Sequence, residues 1–428
     1  MGKIFFNENK IYFQNIAVLF VDNFLKIIVG FIFSVLVARY FGPGKFGKIN
    51  YVLAIVGILQ VIVMFGIDEI ILKDFGLGIT SDSKILYTTV GFRLVLAVFS
   101  FIGGCILFYY LLDKSLVYLF LILGLQLFLY PFYSLKQWFQ IKSLNRLIVI
   151  SSQISLLCVC LAKLFVLLYE KDLIYYAFIL LGGLFIEVLL LFSFYCRKNP
   201  LKNNQGKFDY EYFSKLLKGS LPLLFQNFAV VIYMKIDQVM IGKMLSPQQL
   251  GIYSISVAIS ELLYFVPMSI VNGSYPKIVN AKKENCLELL LIKIGSINFV
   301  ISVIFAVFCT FFVPFLVKVV YGNAYINAGR VIQIHCWAGL FVAIGVSHSC
   351  FLVFENIQIY SLISMCFGAI LNVVLNFLVI PSFGIDGAAI ATVISQFFAS
   401  YFCFAFFKDK RTFVLRTKSV FCFFRNFS

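Results

Sequence analysis

Nine ionisable residues stand inside long apolar runs of this sequence: Asp22, Lys26, Arg93, Lys163, Glu187, Lys235, Asp237, Glu261 and Lys293. A charge in hydrocarbon is costly, so each marks either a polar pathway or a buried pair. Asp22 and Lys26 are four apart and stack on one helical face with Asn15 and Gly30. Arg93 falls in line with Thr89, Ala97, Ser100 and Gly104. Gln226, Tyr233 and Asp237 share a face, with Asn227, Lys235 and Gln238 on the neighbouring one, and Glu261 follows Ser254 and Ala258. Cations on such stripes suit an anionic substrate through charge-assisted hydrogen bonds, and acids suit a proton or metal cation. The plainer reading of each is a structural ion pair or a side chain reaching for the interface, the more so for Lys163 and Lys293 near the ends of their runs. His335 and His348 could relay protons, but isolated membrane histidines more often bond a neighbouring helix; Asn372 and Asn376, four apart, could touch sugar hydroxyls or bond across helices.

The elements that must carry these residues follow from composition. Of 428 residues, 62% are hydrophobic and 13% charged, with a mean hydropathy of +0.98, which excludes a soluble globular protein. The apolar runs are too long for barrel strands of about 10 residues, which leaves an all-α polytopic membrane protein. Twelve spans are expected: residues 13–38, 49–72, 85–112, 116–135, 147–169 and 173–195, then 219–242, 251–272, 287–316, 331–354, 359–380 and 387–407. The expected organisation is a six-helix bundle over residues 1–196, a turn-rich linker over 197–218, a second six-helix bundle over 219–407 and a basic tail over 408–428.

The net charge of +16 sits mostly in loops, where it reports orientation rather than nucleic-acid binding. With the first residues inside, alternate loops hold 22 basic residues on the cytoplasmic side and 8 on the other, so both termini and the linker are expected in the cytoplasm. The basic and aromatic tail suits the inner headgroups or a disordered end equally. Eleven cysteines, nearly all in apolar runs and without C-x-x-C spacing, give neither a disulfide framework nor a zinc site.

Sliding the chain by 204 residues places Asn23 and Phe24 on Asn227 and Phe228, Arg39 on Lys243, and Pro43 and Gly47 on Pro247 and Gly251. Six spans per repeat is even, so the two halves are parallel and imply two bundles about a central cavity that opens alternately to either face. The segment Gly42-Pro43-Gly44-Lys45-Phe46-Gly47-Lys48-Ile49 approaches a phosphate-binding loop, but Ile49 replaces the magnesium-binding hydroxyl and a membrane span precedes it. It reads as a tight turn between spans, and nucleotide-driven pumping is not expected.

Four motifs occur in order: R-Y-F-G-P-G-K-F-G-K-I-N-Y after the first span, Y-M-K-I-D-Q-V-M-I-G-K-M-L-S-P-Q-Q-L-G-I-Y-S at the seventh, L-V-K-V-V-Y-G-N-A-Y after the ninth, and A-I-L-N-V-V-L-N-F-L-V-I-P-S-F-G-I-D-G-A-A-I-A-T across the last two. Together they resemble the bacterial polysaccharide (O-antigen) flippases of the Wzx type, in the superfamily that also holds multidrug extruders and the lipid II flippase. Phe41 and Ser246 depart mildly from that pattern. The resemblance covers essentially the whole chain. It implies a non-enzyme of the bacterial inner membrane that moves an undecaprenyl-diphosphate-linked oligosaccharide to the periplasmic leaflet, for O-antigen, capsule or exopolysaccharide assembly. It further implies membrane lipid, a polysaccharide polymerase and a chain-length regulator as partners, and no cofactor beyond a coupling proton or sodium ion. Set against that substrate, the candidate contacts are Lys26, Arg39, Arg93, Lys235, Asn23, Asn227, Asn372 and Asn376, and the candidate coupling-ion residues are Asp22, Asp237 and Glu261. The alternatives are a cation-coupled multidrug or metabolite exporter of the same superfamily and, in a different class, a membrane enzyme. The second lacks the long outer loop or His and acid cluster such an enzyme would need.

Overall fold

Hydrocarbon offers no hydrogen bond to a peptide group, so a chain of this composition closes its backbone bonds within helices. The computed structural model describes residues 24–110, 113–169, 172–198, 208–275 and 277–421 with their side chains, and the backbone alone at 2–23, 111, 276 and 422–425. In chain order the helices are α1 (Gly2–Met64), α2 (Asp68–Leu77), α3 (Asp82–Ile106), α4 (Val117–Gly124), α5 (Ser134–Ile141), α6 (Asn145–Leu168), α7 (Leu173–Lys198) and α8 (Tyr210–Met244). They continue as α9 (Pro247–Glu261), α10 (Phe265–Lys283), α11 (Leu287–Tyr321), α12 (Ala328–His335), α13 (Ala338–Ser347), α14 (Ser349–Phe354), α15 (Gln358–Ser400) and α16 (Arg411–Arg425).

Ten helical stretches among the described residues are long and apolar enough to cross a membrane. Two of them, Phe24–Leu77 and Gln358–Ala405, hold 54 and 48 residues, more than twice the roughly 20 that one crossing needs. Each is broken inside, at Gly42 (φ 69°) beside Pro43 and at Gly384 (φ 59°) after Pro381, backbone values that favour glycine. Each therefore supplies two crossings, and the expected twelve result.

The chain parts into two compact units, residues 1–41 with 52–228, and residues 42–51 with 229–428. These boundaries correct the expected ones at three places. The end of the expected linker is already the start of α8 and packs in the first unit: Asp209 N–H donates to Thr88 Oγ1 at 3.0 Å and Tyr212 O–H donates to Asp74 at 2.7 Å. Tyr212 and Leu216, four apart, bury one face of α8 in a core with Phe75, Trp138 and Leu191. Residues 199–207 of that linker lie outside the described residues.

The second correction concerns residues 42–51, which pack in the second unit. A Cβ added to Gly47 would overlap the Pro247 carbonyl, and one added to Gly251 would overlap the Pro43 carbonyl. The two turns that the offset of 204 residues equates thus lie against each other reciprocally, with the equivalent glycine of each on the equivalent proline of the other. The third correction is the tail. Instead of standing apart it forms α16, whose buried residues Thr412, Leu415, Arg416 and Ser419 fall on one helical face. That face is mostly polar, so hydropathy does not reveal it. Ser296 Oγ–H of α11 donates to the Ser419 carbonyl at 2.7 Å, Ser419 Oγ lies 3.1 Å from His348 Nε2, and Leu415 joins the core of Leu291 and Phe351. Arg411 pairs with Glu355 at 2.8 Å, where Lys282 pairs as well.

Gly47→Ala and Gly251→Ala should each destabilise the protein by about 1–3 kcal/mol, since the obstructing atoms are backbone. Gly44→Ala in the same turn, with nothing within 4 Å of the added carbon, should stay within about 0.5 kcal/mol. Thermal melting in detergent checks both. A second expectation concerns acid. Lys282 and Arg411 hold the Glu355 carboxyl below the ordinary glutamate range, so the pairing favours the folded chain at higher pH and is lost as pH falls through that lowered value. Protection of the α16 amides, measured as exchange relative to the intrinsic rate at each pH, should fall on acidification, and Glu355→Gln should flatten that dependence.

Candidate functional site

The polar residues of the first unit are largely engaged in holding its helices. Arg93, 0% exposed, donates from Nη2 to Asp68 Oδ1 and to the Met64 carbonyl, each at 2.9 Å, and from Nη1 to Ser134 Oγ at 2.8 Å. Phe65 and Gly66, both at positive φ, separate α1 from α2 at this point. The guanidinium therefore ties the last carbonyl of one helix to the first carboxylate of the next. Asp68 lies within the second expected span yet is not among the in-span acids singled out from sequence. Its place after a Phe-Gly break was the available signal. Glu187 likewise pairs with Lys136 at 2.9 Å and accepts from Tyr133 O–H at 2.9 Å. Lys26 is half-buried, while Arg39 and Asn227 are exposed. The side chains of Asp22 and Asn23 lie outside the described residues.

The second unit holds an open-mouthed cavity of about 560 Å3, lined wholly by its own residues. Helices α8, α9 and α12 bring Tyr233, Asp237, Glu261 and His335 to it, and α15 brings Thr392 and Gln396. Asp237 is 3% exposed and accepts hydrogen bonds from Tyr253 O–H and, at 2.7 Å, from the Gln238 N–H. Lys235 lies within electrostatic reach of both Asp237 and Glu261. Behind Thr392 a chain of hydrogen bonds crosses α15: Asn376 Nδ2–H donates to Asn372 Oδ1 at 2.9 Å, and Asn372 Nδ2–H reaches Thr392 Oγ1 at 3.5 Å. Both asparagines are fully buried, so in this arrangement they bond helix to helix. Tyr233 O–H donates to the Thr392 carbonyl at 3.1 Å.

His348 is held between the Ile344 carbonyl and Ser419, whereas His335 presents an Nδ1 without a partner among the described residues and stands edge-on to Tyr253 at 6.3 Å. The candidates thus divide. Asp237, Glu261 and Lys235 come together in the second unit, with Asn372 and Asn376 behind them, and Lys26, Arg39, Arg93 and Asn227 belong to the first. Tyr253, Thr392 and Arg416 were not legible as site residues. Arg416 lies in the segment read as a tail, and its signal was the spacing of Thr412, Leu415 and Ser419 around it.

A twelve-span helical chain with acids in a largely apolar cavity inside one unit has the architecture of membrane transporters rather than of any soluble class. The fold matches that of "Lipid II flippase MurJ, inward closed conformation", with a TM-score of 0.65 at 15% identity over 95% of this chain and 91% of that one. It matches equally the inward-facing conformation of a multidrug resistance MATE family transporter of the MOP superfamily, with a TM-score of 0.67 at 13% identity over 97% and 100% of the two chains. The chain belongs to the polysaccharide biosynthesis protein family, whose model matches residues 12–282. The MatE model matches residues 222–378. An uncharacterized membrane protein of Methanocaldococcus jannaschii is 26% identical over 200 residues, 46% of each chain, so the match spans about half the length of that relative. The family expected from the motifs is thereby borne out at the level of fold and family.

The buried clamp of Arg93 gives a direct expectation. Arg93→Gln should lower stability by about 2–4 kcal/mol, because it leaves Asp68 and the Met64 carbonyl without their donor. Asp68→Asn should cost less, its side chain being about a third exposed (34%), and the double variant should be no worse than Arg93→Gln alone. Melting temperatures of the three purified variants decide this.

Proposed function

We propose that this protein is a flippase that carries a polyprenyl-diphosphate-linked oligosaccharide across the cytoplasmic membrane by alternating access. The observation that carries the reading is membership of the polysaccharide biosynthesis protein family over 12–282. The chemistry agrees with it. A diphosphate and its glycan cannot enter hydrocarbon unaided, so fixed cations and hydroxyl-rich surfaces lower the barrier while the polyprenyl chain stays in lipid. Lys26, Arg39, Lys235 and Asn227 are the candidate contacts on this reading, and Arg93 acts on the substrate only through the helix break it clamps. The named relative MurJ acts on lipid II, a substrate of the same chemical kind.

Coupling to a proton or sodium ion is assigned to Asp237, whose carboxylate faces the cavity among Tyr253, Lys235 and Glu261. Binding a cation there would alter how Lys235 and Glu261 are balanced, and so bias the unit between two arrangements. A second reading, a cation-coupled multidrug or metabolite exporter, is favoured by two observations: the MatE match over 222–378 and the two acids in the cavity.

Expression in a bacterial host deleted for its polysaccharide flippase should restore surface glycan, provided the host's repeat unit is accepted. Asp237→Asn should reduce display at least tenfold at equal membrane levels. Absence of display across hosts with different repeat units, together with raised resistance to cationic drugs, would instead establish the exporter.

A further inference from the structure

Arg416 is a cation that the fold has placed with care and left short of partners. It sits on the buried face of α16, 2% exposed, and lines the cavity of the second unit. Its helix is pinned on both sides of it, by the Arg411–Glu355 pair before and by the Ser296–Ser419 bond and Leu415 packing around it. The guanidinium lies over the Phe404 ring at 3.7 Å and Nη1–H donates to the Ser400 carbonyl. Nε–H has no partner, and no ion pair to Arg416 occurs among the described residues. A fixed, buried guanidinium with a spare donor calls for an anion, because an uncompensated buried charge is strongly disfavoured.

The cavity itself narrows the choice of anion. The acids Asp237 and Glu261 also line it, but both lie within reach of Lys235 and neither pairs with Arg416. Thr392, beside the Tyr233 hydroxyl, and Ser400, beside Arg416, are eight residues apart on α15, which is about 12 Å of helix. An anion at the Ser400 end is therefore spaced from the Thr392 end. Beside Arg416 stands Ser400, whose Oγ accepts from Gln396 Nε2–H at 3.0 Å, and this hydroxyl and amide line the cavity and are able to bond ester and phosphoryl oxygens. Met268, Val342 and Met365 supply an apolar wall. A planar fork of donors next to hydroxyl and amide groups, at the end of a largely apolar chamber, fits a phosphate or diphosphate ester carrying an apolar chain.

We propose that Arg416, with Gln396 and Ser400, forms an anion site for such a phosphate ester inside the second unit. The transported polyprenyl diphosphate and a membrane phospholipid are its two possible sources. The inference rests on the flippase reading only in naming the first of them.

The test uses the full-length protein in detergent and calorimetric titration with three probes: geranylgeranyl diphosphate, phosphatidylglycerol and inorganic pyrophosphate. Geranylgeranyl diphosphate should bind, and Arg416→Gln should weaken it about tenfold or more, as expected for a lost charge-assisted contact. Arg416→Lys, which keeps the charge and loses the fork, should fall between. Should Arg416→Gln fail to fold, the unaltered protein still answers: the probe should slow phenylglyoxal modification of Arg416, read by peptide mass spectrometry. Arg416-dependent binding of phosphatidylglycerol instead would support the site and assign it to phospholipid, and of pyrophosphate would assign it to a free anion. Binding that is unchanged in a folded Arg416→Gln variant, or a probe that leaves modification unslowed, would overturn the proposal. A protein that binds in this way yet restores no glycan display across hosts with different repeat units, and raises resistance to cationic drugs, would refute the flippase reading while leaving the site intact.

Discussion

A hydrocarbon interior supplies no partner to a peptide group and no counter-ion to a charge, and nearly every feature of this molecule answers to that constraint. The backbone answers with helices, the two longest of which break inside at glycines able to take positive φ, Gly42 and Gly384. The charges answer by pairing. Arg93 with Asp68 and Glu187 with Lys136 are closed ion pairs, and each joins separate helices of the first unit. Breaking such a pair by removing one member is costly even where the pair adds little net stability, so these residues specify helix placement more than they supply energy.

The second unit is built differently. Its buried charges converge on a cavity instead of closing on one another. Asp237 is fixed by Tyr253 and by a backbone amide, Lys235 stands within reach of two acids, and Arg416 keeps only a carbonyl and a ring. A site whose acids and cations are held apart by the scaffold can change its internal balance when a cation or an anion enters, which is the property that an alternating transporter requires of a fixed site. The closed ion pairs of the first unit lack that freedom. Charges that look alike in sequence are thus closed into pairs in one unit and gathered about a cavity in the other.

The crossing of the two repeat-related turns shows a further use of small residues. Gly47 and Gly251 admit a carbonyl of the opposite turn where any side chain would collide. Their reciprocity follows from the repeat, because the same turn sequence applied twice provides both the glycine gap and the proline carbonyl that fills it. The same close approach recurs where Gly295 leaves room for Ser419, and there it seats α16 against α11.

Composition and period alone determined the class of this protein. Long apolar runs admit only helices in a bilayer, and turn residues at regular intervals set twelve crossings and a parallel repeat, because span length and loop chemistry are local properties. The in-span charges were legible too, and Asp237 and Glu261 among them line the cavity of the second unit. What the sequence could not decide was which charge is paired with which. Asp68 and Arg93 are 25 residues apart, and their pairing depends on how two helices pack. Nor could it assign the tail, whose packed face is polar and carries no hydropathy signal, so Arg416 reads as one more surface base until α16 is laid against α11. Pairing and burial are properties of contacts between distant segments, and only the tertiary structure brings those segments together.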